Sequence, residues 1–300
     1  MSLKEFVEQN PHLVKMNESV RYPGLFVLKY KRVVFFDSLW NDYLEECRGA
    51  VVDKDFNFVI RPFTKIYNRG ERGTDIQPDA DCVIIRKVNG FMAAATYVPA
   101  LDKVIVSTTG SLDSEFVTMA EEFIDDKMKE EIKRYFLSPH ITWLFEIVHP
   151  NDPHIIKEQV GAWLIGARNI HAEAKYHSSV DHELWLDECA KMFGFMRPSW
   201  DVKRFGDVVK EAKECKHEGF VVYEYPKGTA LKIKSPHYLM TKFFARIGIE
   251  RLTTLSRETL RQRIDEEFYD LIDLVMENKE EFIALREQDR IAKIEEWLNG

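Results

Sequence analysis

Short apolar runs, broken by turn residues, fill the first hundred positions of the chain. They read "LFVLKY" (25–30), "VVFF" (33–36), "GAVVD" (49–53), "FVI" (58–60), "CVIIRK" (82–87), "FMAAATYV" (91–98) and "KVIVST" (103–108). Between them lie "YPG", "DKDFN" and "VPALDK". β-branched and aromatic runs of this length, punctuated by Gly, Pro, Asp and Asn, predict antiparallel strands.

The pattern then changes period. Residues 111–136, "SLDSEFVTMAEEFIDDKMKEEIKRYF", set Phe116, Met119, Ala120, Phe123 and Lys127 on one stripe, with Ser111 or Asp113 as N-cap. "ITWLFEIVHP" (141–150) predicts a buried strand interrupted by one glutamate, and "GAWLIGARN" (161–169) another. "HELWLDECAKMFG" and "KRFGDVVKEAKEC" are helical, and "GFVVYEY" and "ALKIKS" form a strand pair joined by "PKG". From Pro236 onward the pattern is helical. Leu260, Ile264, Phe268, Leu271, Ile272 and Val275 share one face, and Phe282, Leu285, Ile291, Ile294 and Trp297 later ones. The expected architecture is α+β: an antiparallel-sheet domain over 1–240 and an all-helical C-terminal domain over 241–300.

No run of 18 apolar residues exists, so no membrane span is expected. The N-terminal "MSLKEFVEQNPHL" is polar and acidic, unlike a targeting peptide. Cys47, Cys82, Cys189 and Cys215 form no C-x-x-C pair, which suits reduced thiols in a cytoplasmic protein. "HPNDPH" offers His149, Asp152 and His154 as metal ligands, without a cysteine or third histidine at zinc spacing; a polar loop is the plainer reading.

The net charge of −8 argues against a nucleic-acid partner until its distribution is considered. Residues 257–300 hold 13 acids against 7 bases, a net of −6. Residues 226–249 carry Lys227, Lys232, Lys234, Lys242 and Arg246 with no acid, and "RPFTKIYNRGER" (61–72) sets four bases against Glu71. The body of the chain therefore has basic patches fit for phosphates.

Four features are odd for a plain core. Lys87 and Gly90 form K-x-x-G between two strand-like runs; Glu146 sits inside an apolar strand; Glu218 precedes another; Lys232 and Lys234 alternate with Leu231 and Ile233, so they share a face. Charged residues are rarely buried unless paired. A phosphate-bearing ligand would supply a partner, and a lysine nucleophile would gain from cationic neighbours that lower its pKa. Taken singly, each feature also fits a surface hairpin or an edge strand.

The ordered set has more to say. Lys87-x-x-Gly90, Glu146, "EGFVVY", then Lys232 fourteen residues after Glu218 is similar to the order and spacing of the covalent nucleotidyltransferases, which include DNA ligases, RNA ligases and capping enzymes. With "ECRGAVVD", "RPFTKIYN", "STTGSLDSE", "TWLFEIVHP" and "KIKSPHY", the chain resembles ATP-dependent RNA ligases of the bacteriophage, tRNA-repairing type from about Arg48 to Tyr238. The resemblance implies that Lys87 carries AMP and Gly90 permits the turn beside it. It implies that Arg48 and Lys65 bind the triphosphate, that Glu146 reads the ribose, and that Lys232 and Lys234 hold the α-phosphate. Glu218 matches a carboxylate of the metal site, with Glu146 a second candidate ligand for Mg²⁺ or Mn²⁺. Tyr67 and Tyr238 match aromatics of that branch, and Ser111 belongs to its Gly-Ser element. Two positions depart from the pattern: Asn89 stands where aspartate is usual, and Thr109 where lysine is usual. An amide at 89 still accepts a hydrogen bond; a threonine at 109 removes one phosphate contact.

The implied function is ATP-dependent joining of an RNA 5′-phosphate to a 3′-hydroxyl through lysyl-AMP and AMP-capped RNA. A broken tRNA would be the substrate, with a separate end-healing kinase or phosphatase as possible partner. The alternatives are a DNA ligase, a capping guanylyltransferase, and a non-catalytic RNA-end binding protein.

Overall fold

The computed structural model describes residues 1–135, 138–173, 175–262, 264 and 266–299. In chain order the elements begin with α1 (Leu3–Gln9), β1 (Val14–Glu18), β2 (Leu25–Tyr30), α2 (Arg32–Phe36), α3 (Asp42–Glu46), β3 (Arg48–Asp53), β4 (Phe58–Ile60) and β5 (Tyr67–Asn68). Next come β6 (Asp81–Arg86), β7 (Phe91–Val98), β8 (Lys103–Thr108), α4 (Glu115–Phe123), α5 (Asp126–Arg134), β9 (Ile141–Val148), β10 (Gly161–Asn169) and α6 (Val180–Phe193). They are followed by β11 (Trp200–Arg204), α7 (Phe205–Glu214), β12 (Gly219–Glu224), β13 (Ala230–Lys234), α8 (Pro236–Arg246), α9 (Ile249–Thr254), α10 (Arg257–Arg261), α11 (Tyr269–Glu277), α12 (Lys279–Ala284) and α13 (Glu287–Asn299).

Three sheets form. The first has the order β1-β2-β3-β4, the second β10-β9-β7-β8 and the third β11-β6-β12-β13-β5. Pairing is antiparallel except between β13 and the two-residue β5. All eight residues of β9 are buried, because it is flanked by β7 and β10 and covered on both faces. One face packs with α4, α5 and α6 through Trp143, Phe145, Val117, Ile132 and Leu186. Leu144 joins Val27, Val51, Ile85 and Tyr223 in a core shared by all three sheets. This shared core fixes the sheets against one another, and the site described below opens between them.

Two expectations are corrected, and one open alternative is set aside. "VVFF" is not a strand. It forms α2, with Val34 buried and Phe36 74% exposed. β2 is already paired on both edges, by β1 and β3, so the run that follows it finds no edge to extend. The helix expected over 111–136 is two helices. Ser114 is the N-cap residue of α4, not Ser111 or Asp113, and Asp125 caps α5 by accepting from the Met128 N–H at 2.8 Å. Asp113 instead accepts from the backbone of Val20 and Arg21, and Phe136 lies outside the described residues. The pair β6 and β7 is not a hairpin. β6 belongs to the third sheet and β7 to the second, so residues 87–90 cross from one sheet to the other.

The C-terminal helices share their own core of Phe244, Leu252, Leu260, Leu271, Ile272, Val275, Phe282, Ile291 and Ile294, with Tyr238 and Ile155 packed into it. Arg290 is 6% exposed at the centre. Its guanidinium donates to the carbonyls of Phe282 (3.0 Å), Ile283 (2.9 Å) and Ile247 (3.0 Å). The Ile247 and Ile283 carbonyls stand at the ends of α8 and α12, and the Phe282 carbonyl also accepts from the Leu285 N–H at 3.3 Å. Its five donors suit this task as no lysine does. Arg290→Ala is expected to lower the unfolding free energy by about 2–4 kcal/mol, because several buried carbonyls lose their donor at once. Urea unfolding checks it, and Arg290→Lys should recover only part.

Candidate active site

Lys87 begins the crossing between sheets. Its backbone N–H donates to the Gly219 carbonyl at 2.9 Å, which ties the crossing to β12. Its ammonium donates to Glu218 Oε2 at 2.9 Å. The same carboxylate oxygen accepts from Asn89 Nδ2 at 2.7 Å, and Glu218 Oε1 lies 3.5 Å from the Lys234 ammonium. Glu218 is 2% exposed, yet its carboxyl stays below the usual range: burial opposes ionisation, and Lys87, Lys234 and Asn89 outweigh it. Asn89 uses both ends of its amide. Its Oδ1 accepts from the Ile156 N–H at 3.0 Å while its amide donates to Glu218. A carboxylate at position 89 would face Glu218 with like charge, so the departure to asparagine suits this chain's own packing.

Gly90 is required by proximity. A Cβ there would stand 2.2 Å from the Ile147 carbonyl oxygen, and the φ is not in the left-handed region. The turn-based role expected for it is therefore replaced by close approach to β9. Its N–H donates to Glu146 Oε1 at 3.0 Å. Burial, and next the neighbouring Glu218, raise the Glu146 carboxyl above its ordinary value, with Lys87 opposing.

These groups border a cavity of about 390 Å³. Its lining is apolar at Phe63, Ile66, Ile85, Met92, Ile165, Val221 and Tyr223 and charged at Arg48, Lys87, Glu146 and Lys232, with Lys232 beside Val221 and Glu146 beside Met92 in the strand register. β13 explains the lysines. Leu231 and Ile233 enter the core with Phe205 and Val208 of α7, so Lys232 and Lys234 take the opposite face. β3 delivers Arg48 through a bulge. Gly49 is the extra residue, with φ +98°, and a side chain there would meet Thr109 Cα at 2.7 Å.

The electrostatics invert one expectation. Burial alone would lower Lys87, but Glu146 and Glu218 hold its pKa above the ordinary lysine value. The depressed amine is Lys232. Burial, followed by Arg48, Lys87, Lys65 and Lys234, pushes it down to about 7. The cationic neighbours expected to act on Lys87 act on Lys232 because both carboxylates sit at Lys87.

The remaining predicted residues lie around this centre. Lys65 donates to Glu71 at 2.7 Å and sits over the rings of Tyr67 (4.4 Å) and Trp40 (4.7 Å), so it reaches the cavity through its field. Tyr67 donates to Glu45 at 2.8 Å. Tyr238 is buried on α8, with Lys234 and Lys242 over its ring at 5.0 and 5.5 Å. Ser111 accepts from the Asp113 N–H at 2.9 Å and touches none of the central groups. His149 and His154 pair separately with Glu122 and Asp152, and no cluster of three or more metal-binding side chains occurs among the described residues. The apolar wall was not foreseen, since Ile85, Val221 and Ile165 look in sequence like ordinary core positions. Arg86, which pairs with Glu158 at 2.7 Å beside the cavity, was missed as well.

The Lys232 shift sets a pH dependence. The unfolded chain keeps this proton up to the usual 10.5, whereas the folded chain releases it near 7. Between these values the unfolded state binds more protons, so stability rises with pH across that window and is lowest below it. Lys232→Met is expected to remove the rise and to raise the urea midpoint at pH 7. Equal slopes for the two proteins between pH 7 and 9 would contradict the assignment.

A sequence model of a family described as RNA ligase matches residues 46–247. No curated protein matches the sequence. Among solved structures, one form of an archaeal ATP-dependent RNA ligase is similar at a TM-score of 0.56 and 12% identity, over 98% of this chain and 79% of that one. A second form gives 0.57 and 13%, over 97% and 77%. At these identities the likeness is one of fold, and it runs through the helical C-terminus as well as the sheets.

Proposed function

The chain belongs to the RNA ligase family, and we propose that it joins RNA ends with ATP, using Lys87 as the nucleophile. The observation that carries this reading is the cavity itself, which offers apolar side chains for a base together with Arg48, Lys87 and Lys232 for phosphates.

On this reading the adenine lies against Ile85, Met92, Val221 and Tyr223, and Glu146 accepts from the ribose. Lys87 passes its proton to the Glu218 carboxylate, 2.9 Å away, and its Nζ attacks the α-phosphorus. An N–P bond forms, the bond to the bridging oxygen breaks, and pyrophosphate departs with that electron pair. Arg48, Lys232 and Lys234 meet the charge spread over the phosphate oxygens, which is where most catalysis of phosphoryl transfer arises. AMP then passes from Lys87 to an RNA 5′-phosphate, and a 3′-hydroxyl displaces AMP to close a phosphodiester. Glu218, with one oxygen held only by a 3.5 Å contact to Lys234, and Glu146 fit a divalent cation that also binds phosphates, for Mg²⁺ and Mn²⁺ are held by one or two carboxylates plus substrate. Such an ion would add positive charge beside the phosphates. No helix among the described residues is long and apolar enough to cross a membrane, in keeping with work in the cytoplasm. The helical unit, which supplies no residue to the cavity lining and is acidic over 257–300, suits a part in choosing the RNA, and a broken tRNA loop is the substrate to compare with a plain single strand.

Lys87→Ala is expected to form no acid-labile, alkali-stable AMP adduct with radiolabelled ATP, yet to seal RNA supplied already capped with AMP. Labelling of the variant would show that another residue is the nucleophile. Lys234→Ala should lose adduct formation by at least tenfold while keeping its melting temperature, with Lys234→Arg only partly active because a planar fork does not replace a compact ammonium.

A further inference from the structure

Three basic side chains stand in a row across the first sheet. Lys15 of β1 is registered opposite Lys29 of β2, and Lys29 opposite Arg48 of β3. Residues directly opposite in an antiparallel pair share a sheet face, and like charges so placed repel. None of the three has a carboxylate within ion-pair distance among the described residues, and Lys15 and Lys29 are exposed. The row is anchored at its inner end, where Arg48 and Thr109 line the cavity. The Lys29 ammonium packs on the backbone of Gly110, 2.9 Å from where a Cβ would stand. Asn17, two residues from Lys15 and on the same face, donates to the Gly110 carbonyl at 3.4 Å. The chain as a whole carries −8. A line of unpaired cations ending in the catalytic cavity is therefore a local exception that costs folding energy unless an anion answers it.

We propose that this row is the track along which the phosphodiester backbone of a single-stranded RNA end reaches the cavity. The inference rests on the reading that the cavity adenylylates RNA ends. A triphosphate reacting at Lys87 has its outer phosphates at Arg48, whereas the row continues outward by two strand spacings, about 10 Å. A nucleic-acid strand carries a phosphate at every nucleotide and can answer each cation in turn. Thr109 and Gly110 form the opposite bank, and the glycine leaves room for Lys29 to lie flat against the loop.

The test is binding of a 5′-phosphorylated single-stranded RNA to the full chain by fluorescence anisotropy over a range of salt. Lys15→Gln and Lys29→Gln should each weaken binding about threefold to tenfold at low salt. Each should also make the slope of log affinity against log salt shallower by roughly 0.7, the single-strand value per phosphate contact. The double variant should lose about twice that slope, and Lys29→Arg should restore it, a recovery that a merely structural role would not give. Unchanged affinity and slope in the double variant would overturn the proposal. So would a rise in KM for ATP in Lys29→Gln with RNA binding unaltered, since the lysine would then serve the triphosphate. This measurement needs no reaction at Lys87, so failure of the wild-type protein to form lysyl-AMP would contradict the ligase mechanism and leave the track to be judged by its own result.

Discussion

The structure depends on holding more positive charge around one cavity than its own carboxylates neutralise. Arg48, Lys87 and Lys232 line it, and Lys65 and Lys234 stand close enough to be felt by Lys232. Glu146 and Glu218 balance the field at Lys87, and Glu218 also meets Lys234 at 3.5 Å. Such an arrangement survives because the core shared by the three sheets, centred on Leu144, Val51 and Ile85, fixes the strands that carry the charges. The cost of crowding falls most heavily on the protonation of Lys232, pushed down to about 7, while burial also lowers Lys65.

The lysine itself is positioned by backbone rather than by a pocket of side chains. Residues 87–90 cross between two sheets, anchored by the Gly219 carbonyl on one side and by the close approach of Gly90 to Ile147 on the other. Asn89 links this crossing to the segment 149–160. Ile156 donates to its side chain, Glu158 pairs with Arg86, and Ile155 is packed in the helical core. Gln288 of α13 reaches back to the Pro153 carbonyl at 3.4 Å. The cavity and the helical unit are thus joined through a strap that touches both.

Much of this was legible in the sequence, for definite reasons. β9, β12 and β13 were readable because burial imposes strict patterns, and the glutamate within "TWLFEIV" and the alternation of "LKIK" stand out against them. Charge in apolar strands needs partners, which made the lysines and carboxylates odd one by one; only the resemblance of their order to the covalent nucleotidyltransferases pointed to one site. What sequence did not reveal depends on contacts distant along the chain. Nothing local shows that "VVFF" follows a strand with both edges taken, that Gly90 is needed for proximity rather than for φ, or that both carboxylates fall on Lys87 and leave Lys232 as the depressed amine. The cation row was hidden in the same way, since Lys15, Lys29 and Arg48 are neighbours only through strand register.

The claim on which the account turns is that the cavity is a phosphate site held ready by crowded cations. Binding of an ATP analogue with an uncleavable α–β linkage, followed by calorimetry at pH 8 in buffers of different ionisation enthalpy, addresses it directly. With Lys232 at about 7 in the free protein, the arriving phosphates should charge it, and close to one proton should be taken up per nucleotide bound. The uptake should vanish in Lys232→Met. Binding with no proton uptake at pH 8 would mean that Lys232 is already charged or stands apart from the phosphates, and would contradict the account.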